Sequence, residues 1–291
     1  MQVLYIILII IGLTVQNVAK KAYNVKPEVK GGFIFNLGSV ICALLFFVFA
    51  SGFRLDFRLE VLPYSIGFAI SYCLALVSSF NAIKFGSLSL TSLIGNYSLI
   101  IPAFYGILFM GEPTSIYLYF GLAALMISLF LVNYKPSKKV SGETKKKSTD
   151  PRWFLFVGLS FAGNGVCSTV QNVQQRIFAG QYKNEMMITA LSIVVLILVC
   201  IVFLTERKTA LPSVKSGGIL MAVNGVFNGV VNLFVMLCST IMNASVMFPI
   251  VSAGGIICTA LVSIFFYKEK LTKVQYVGFV LGIAAIVLLN I

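Results

Sequence analysis

Ten apolar stretches, each about the length needed to cross a bilayer, follow one another through this chain with only short polar breaks. They run roughly over 3–20, 31–51, 61–83, 86–110, 114–134, 152–175, 186–205, 216–238, 243–267 and 271–291. Hydrocarbon offers a backbone no water, so each stretch has to satisfy its own N–H and C=O groups as a helix. A soluble core absorbs one or two such runs. Ten leave no polar shell around it, since 59% of the 291 residues are hydrophobic and 11% are charged. The chain therefore reads as an all-α polytopic membrane protein with ten transmembrane helices.

The pentapeptide TVQNV occurs at Thr14 to Val18 and again at Thr169 to Val173, in the first span of each five-span half. Glu112 and Glu269, Tyr119 and Tyr276, Gly121 and Gly278, and Asn133 and Asn290 form further pairs, each 157 positions apart. Five crossings bring the chain to the opposite face, so the halves are expected as two inverted five-helix repeats. The expected organisation is a first repeat over 1–134, a basic linker over 135–151 and a second repeat over 152–291. Residues 1–20 lack a basic leader, and their counterpart at 152–175 is internal, so this segment is expected to stay in the mature protein.

Basic residues set the orientation. Eighteen of the 22 lysines and arginines fall in loops or near helix ends on the face that carries the linker, and Arg54, Arg58, Arg176 and Lys183 fall on the face that carries both termini. By the positive-inside rule the linker is cytoplasmic and both termini lie outside, in a plasma membrane of bacterial type. Linker lysines could touch anionic lipid. A net charge of +13 distributed over loops is what topology alone requires, so no nucleic-acid partner is implied. A homodimer is among the assemblies the sequence leaves open.

The chemistry available is narrow. There is no histidine, the six cysteines have no metal-like spacing, and all nine acidic residues fall at helix ends or in loops. No nucleophile with a base is visible at membrane depth, so neither an enzyme, a cofactor nor a metal site is expected. The missing mid-membrane carboxylate also argues against proton-coupled export of cationic drugs. Glu112 and Glu269 are expected to sit near the starts of the last helices of their halves, with Ser115 and Thr272 as N-caps.

Uncharged polar residues are plentiful and in register. Asn224, Asn228 and Asn232 recur every four residues on the eighth span, so they form one stripe that must face protein or water. Gly225 and Gly229 beside it allow a close backbone approach. Asn164, Ser168, Gln171 and Gln175 share a face of the sixth span, and Gln16 with Lys20 continues the equivalent stripe on the first. With Tyr72 on the third span, Ser92 and Asn96 on the fourth, and Ser252 on the ninth, the candidate substrate-binding set is Gln16, Tyr72, Ser92, Asn96, Asn164, Ser168, Gln171, Asn224, Asn228, Asn232 and Ser252. For any one of them, an interhelical hydrogen bond is the simpler role. Taken together they exceed what packing requires. Pro102 and Pro249 are expected to kink the fourth and ninth spans.

The segments FPIVSAGGIICTALVSIFFYKEKLTKVQYVGFVLGIAAIVLLN and IIPAFYGILFMGEPTSIYLYFGLAALMISLFLVN resemble the closing helix pairs of the EamA-type drug/metabolite transporter superfamily. The resemblance covers essentially the whole chain. It implies a substrate cavity lined by the first, third, fourth, sixth, eighth and ninth helices, and substrates such as amino acids, nucleosides or other metabolites. Many relatives carry a Trp-Gly pair in the first helix of each half and cytoplasmic termini, whereas Trp153 is the single tryptophan here and the lysine tally places the termini outside. The expected function is a carrier or exporter of a polar neutral or zwitterionic metabolite working by alternating access. The contrasting reading is a passive channel or a membrane scaffold that transports nothing.

Overall fold

A computed structural model of the chain describes residues 1–26, 31–85, 91, 94–95, 97–133, 151–267 and 272–288. Among these, ten helices carry the fold: α1 Gln2–Val25, α2 Gly32–Ala50, α3 Leu62–Phe85, α4 Ile100–Phe109, α5 Ile116–Asn133, α6 Pro151–Ile177, α7 Lys183–Thr205, α8 Arg207–Ser239, α9 Ala244–Tyr267 and α10 Lys273–Leu288. Six are long and apolar enough to cross a membrane by length and composition, and α4, α5, α9 and α10 contain shorter apolar segments. Apart from Pro151, the expected linker 135–151 lies outside the described residues, as do Ser92, Asn96 and Glu269.

The packing is two-fold in its logic. Helix α1 lies on α8 as α6 lies on α3; α1 meets α9 as α6 meets α4; and α2 packs on α8 as α7 packs on α3. The pairs α2 with α7, α4 with α9, and α5 with α10 join mate to mate between the halves. Inversion is visible in two contacts. At the start of α1, Gln2 Nε2 donates to Ile241 O at 2.9 Å, and near the end of α6, Arg176 Nη2 donates to Met242 O at 3.1 Å. The first helix of one half thus begins on the face where the first helix of the other half ends.

Two glycines allow the tightest of these contacts. A Cβ on Gly225 would stand 2.2 Å from Ser39 O of α2, and one on Gly163 would stand 2.8 Å from Ser71 O of α3. Backbones that close gain dispersion contacts that lipid cannot supply, which is how helices associate where apolar burial adds nothing.

Three helix boundaries depart from the apolar pattern. Helix α8 begins at Arg207 rather than near 216, with Pro212 in its second turn, and α1 continues through Lys20 and Lys21 to Val25. Hydropathy registers the hydrocarbon boundary, and a helix continues beyond it wherever neighbouring helices support its backbone. Pro102, expected at mid-helix, is the third residue of α4 and follows a turn at Ser98–Leu99. Proline cannot donate to the carbonyl four residues back, and Ser98 O instead accepts from Ile101 N at 3.0 Å.

Candidate substrate site

Both TVQNV copies begin with the same local bond. Thr14 Oγ1 donates to Ile10 O and Thr169 Oγ1 to Gly165 O, each at 2.8 Å, so the threonines turn inward onto their own helices. Two residues later the glutamines reach out. Asn228 Nδ2 donates to Gln16 Oε1 at 3.3 Å, Asn232 Nδ2 donates to Asn228 Oδ1 at 3.1 Å, and Gln171 Nε2 donates to Asn232 Oδ1 at 3.3 Å. A continuous chain of amides therefore links α1 to α6 through α8. Tyr72 on α3 lies beside Asn228 in the same region.

The chain is incompletely satisfied. Gln16 Nε2 and Asn224 Oδ1 are buried with no hydrogen-bond partner, and so are Asn172 Nδ2 and Gln175 Oε1. Asn224 is one turn from Asn228 toward the linker-bearing face. Asn164 and Ser168 are half-buried on α6 and form no hydrogen bond among the described residues. Each orphaned amide group in a dry interior costs about 1–3 kcal/mol, so a site that keeps several has a use for them or admits water.

Ser252 is placed elsewhere. It lines a largely apolar crevice with Tyr97, Leu99, Ile100, Leu122 and Pro249, between α4, α5 and α9. A second cleft, of about 220 Å³, opens among Phe57, Arg58, Ser65, Glu185 and Thr189 on the terminus-bearing face. The hydrogen bond from Arg58 to Asp56 raises the guanidinium further above its ordinary value, so Arg58 stays cationic. Neither cleft contains the amide chain.

The two repeats differ in accessibility. Asn17 and Lys20 of α1 are exposed, whereas their mates on α6, Asn172 and Gln175, are 2% and 0% exposed. On the buried side, Gln174 Nε2 donates to Gln181 O at 3.2 Å and Gln175 Nε2 bonds Gln174 Oε1. The same sequence motif thus sits in an open environment toward the linker face and a closed one toward the terminus face.

The closed side is fastened by a group whose role differs from expectation. Glu112 does not sit at the start of α5. Its carboxylate accepts from Ala244 N at 2.7 Å and Ser245 N at 2.8 Å, capping α9 of the other half, and forms an ion pair with Arg176. The α4–α5 connection turns back at Gly111, whose φ is +63°, and Glu112 N donates to Gly106 O, which aims the side chain inward. Ser115 does cap α5, accepting from Leu118 N at 3.2 Å, and Thr272 forms a reciprocal capping box with Gln275 at α10. At the linker face Glu206 plays a part like that of Glu112, accepting from the N–H groups of Gly32, Phe33 and Ile34 at 2.8–3.2 Å. Neither cross-helix role was readable in the sequence. The one available signal was an acidic residue at an apolar boundary, which does not say whose N-terminus it meets.

Ten apolar helices packed with two-fold logic around a chain of amides define an all-α polytopic membrane protein. Residues 153–291 match the EamA-like transporter family, a match consistent with an EamA-type drug/metabolite transporter. No curated protein matches in sequence. Among solved structures 28 chains are similar. One, described as the crystal structure of a protein, is 12% identical with a TM-score of 0.79 over 99% of this chain and 95% of its own. At that identity the likeness speaks for the fold alone.

Proposed function

We propose that the protein is a secondary carrier that moves a small polar metabolite by alternating access, with the amide chain from Gln16 to Gln171 as its substrate contact. The observation that carries the reading is the unequal state of the two TVQNV copies. A two-fold scaffold with one open and one closed half has an equivalent conformation in which the roles are exchanged, and switching between the two exposes a central site to each face in turn. The amides are suited to neutral or zwitterionic groups, because they supply both donors and acceptors without fixed charge. The proposed site comprises Gln16, Tyr72, Asn164, Ser168, Gln171, Asn224, Asn228 and Asn232, with Ser252 nearer the edge; Ser92 and Asn96 belong to it by sequence and lie outside the described residues.

Counterflow in proteoliposomes loaded with mixed metabolites tests the reading. Trans-stimulation of uptake is the expected result. Flux that rises without saturation is the signature of a pore, and no flux of any metabolite is that of a scaffold; either would overturn the proposal.

A further inference from the structure

Lys20 has the setting of a binding group rather than of a topological marker. It lies nine residues after Ile11, about 900° around the helix and so on the opposite side from a side chain that is 48% exposed among the outward apolar residues of α1. A lysine stretching to the headgroups would share the outward side. Lys20 instead follows Gln16 by one turn on the inner side, and it is nonetheless exposed. The same side of α1 packs on α9 nearer the terminus face, with Ile10 against Gly254 and Leu13 against Gly255. Beyond Leu13 that contact gives way to the exposed Asn17, Lys20 and Asn24, toward the linker face.

The ammonium has no hydrogen-bond or ion-pair partner among the described residues. Glu206, the described acidic residue on the linker face, is committed to the first turn of α2. Around Lys20 the unmatched groups fall into a pattern. Gln16 Nε2, one turn away, is a buried donor without an acceptor, and Asn224 Oδ1 is a buried acceptor without a donor. Helices α1 and α8 run antiparallel with Gln16 bonded to Asn228, so one turn toward the linker face on each sets Lys20 level with Asn224. A cation and an amide N–H at one end and an amide oxygen at the other match a small molecule with an anionic oxygen group and a nearby hydrogen-bond donor.

We infer that the substrate carries such an anionic group, a carboxylate or a phosphate, and that Lys20 with the Gln16 amide receives it while Asn224 accepts from a neighbouring hydroxyl or ammonium. This rests on the transport reading and narrows it from polar metabolites in general to anionic or zwitterionic ones. A bound anion would give the ammonium and the two unmatched amide groups charge-assisted and neutral hydrogen-bond partners at once.

The test is counterflow by the full chain in proteoliposomes with four labelled pools: amino and hydroxy acids, sugar phosphates, neutral sugars with nucleosides, and amines. Wild type should exchange the first or the second pool, which tells carboxylate from phosphate. Lys20→Gln should raise the half-saturation concentration for that pool about tenfold to a hundredfold, the loss of one charge-assisted hydrogen bond, with Lys20→Arg restoring part of it. An unchanged melting temperature of Lys20→Gln separates this from misfolding. Exchange confined to the neutral or amine pools, or an anion exchange that Lys20→Gln leaves intact, overturns the inference while leaving a carrier. Exchange of no pool by wild type removes the transport reading itself and the inference with it.

Discussion

Replacing Glu112 by Ala removes three partners at once. The side chain is 1% exposed and receives two α9 backbone N–H groups and the Arg176 guanidinium, itself 23% exposed. Breaking a buried ion pair by deleting one member costs about 3–5 kcal/mol, because the other charge stays behind unpaired. The partial exposure of Arg176 places the expected loss near the lower end, about 3 kcal/mol. Arg176→Met is milder. The carboxylate keeps both N–H donors and the positive end of α9, so the expected loss is about 1–2 kcal/mol. The double variant should then fall short of the sum by about 1–2 kcal/mol, the coupling of a contacting pair. Unfolding by dodecyl sulfate titration in mixed micelles measures all three. Losses below about 1 kcal/mol that simply add would mean an exposed, screened pair and would refute the idea of a fastener between the halves.

The same change should alter access. In a background without the six native cysteines, Asn17→Cys should react with a thiol reagent and Asn172→Cys should be protected, and adding Glu112→Ala should expose position 172; continued protection would show that the seal lies elsewhere. Asn228→Ala breaks bonds that in membranes average about 0.6 kcal/mol, so its unfolding should shift little while transport affinity falls tenfold or more, with Ser192→Ala as the inert control. Intact uptake kinetics in that variant would make the asparagine stripe structural. Glu206→Ala removes the cap of α2 and should cost about 1–2 kcal/mol by the same titration, with no effect on the amide chain. A cysteine at Ser141 should be labelled by an impermeant reagent only after cells are opened; labelling of intact cells would reverse the orientation drawn from the lysines and leave the fold as it is.

Hydropathy and repetition determined the architecture by themselves. The bilayer admits one solution for an isolated apolar run, a helix, and an odd number of helices per repeat forces inversion, so ten runs and a duplicated TVQNV were enough to give the helix count and the two-fold. The stripe of Asn224, Asn228 and Asn232 was legible for a similar reason, since four-residue spacing fixes a helical face whatever surrounds it. What it faces was not. That Asn228 meets Gln16 while Asn232 meets Gln171 depends on the depth at which α8 sits between α1 and α6, which only the packed helices decide. The capping of α9 by Glu112 was hidden because its partner belongs to the other half, 132 positions away. The unequal burial of Asn17 and Asn172 could not be written in the sequence at all. Identical residues have identical local preferences, and only the conformation of the packed whole decides which copy is open to water.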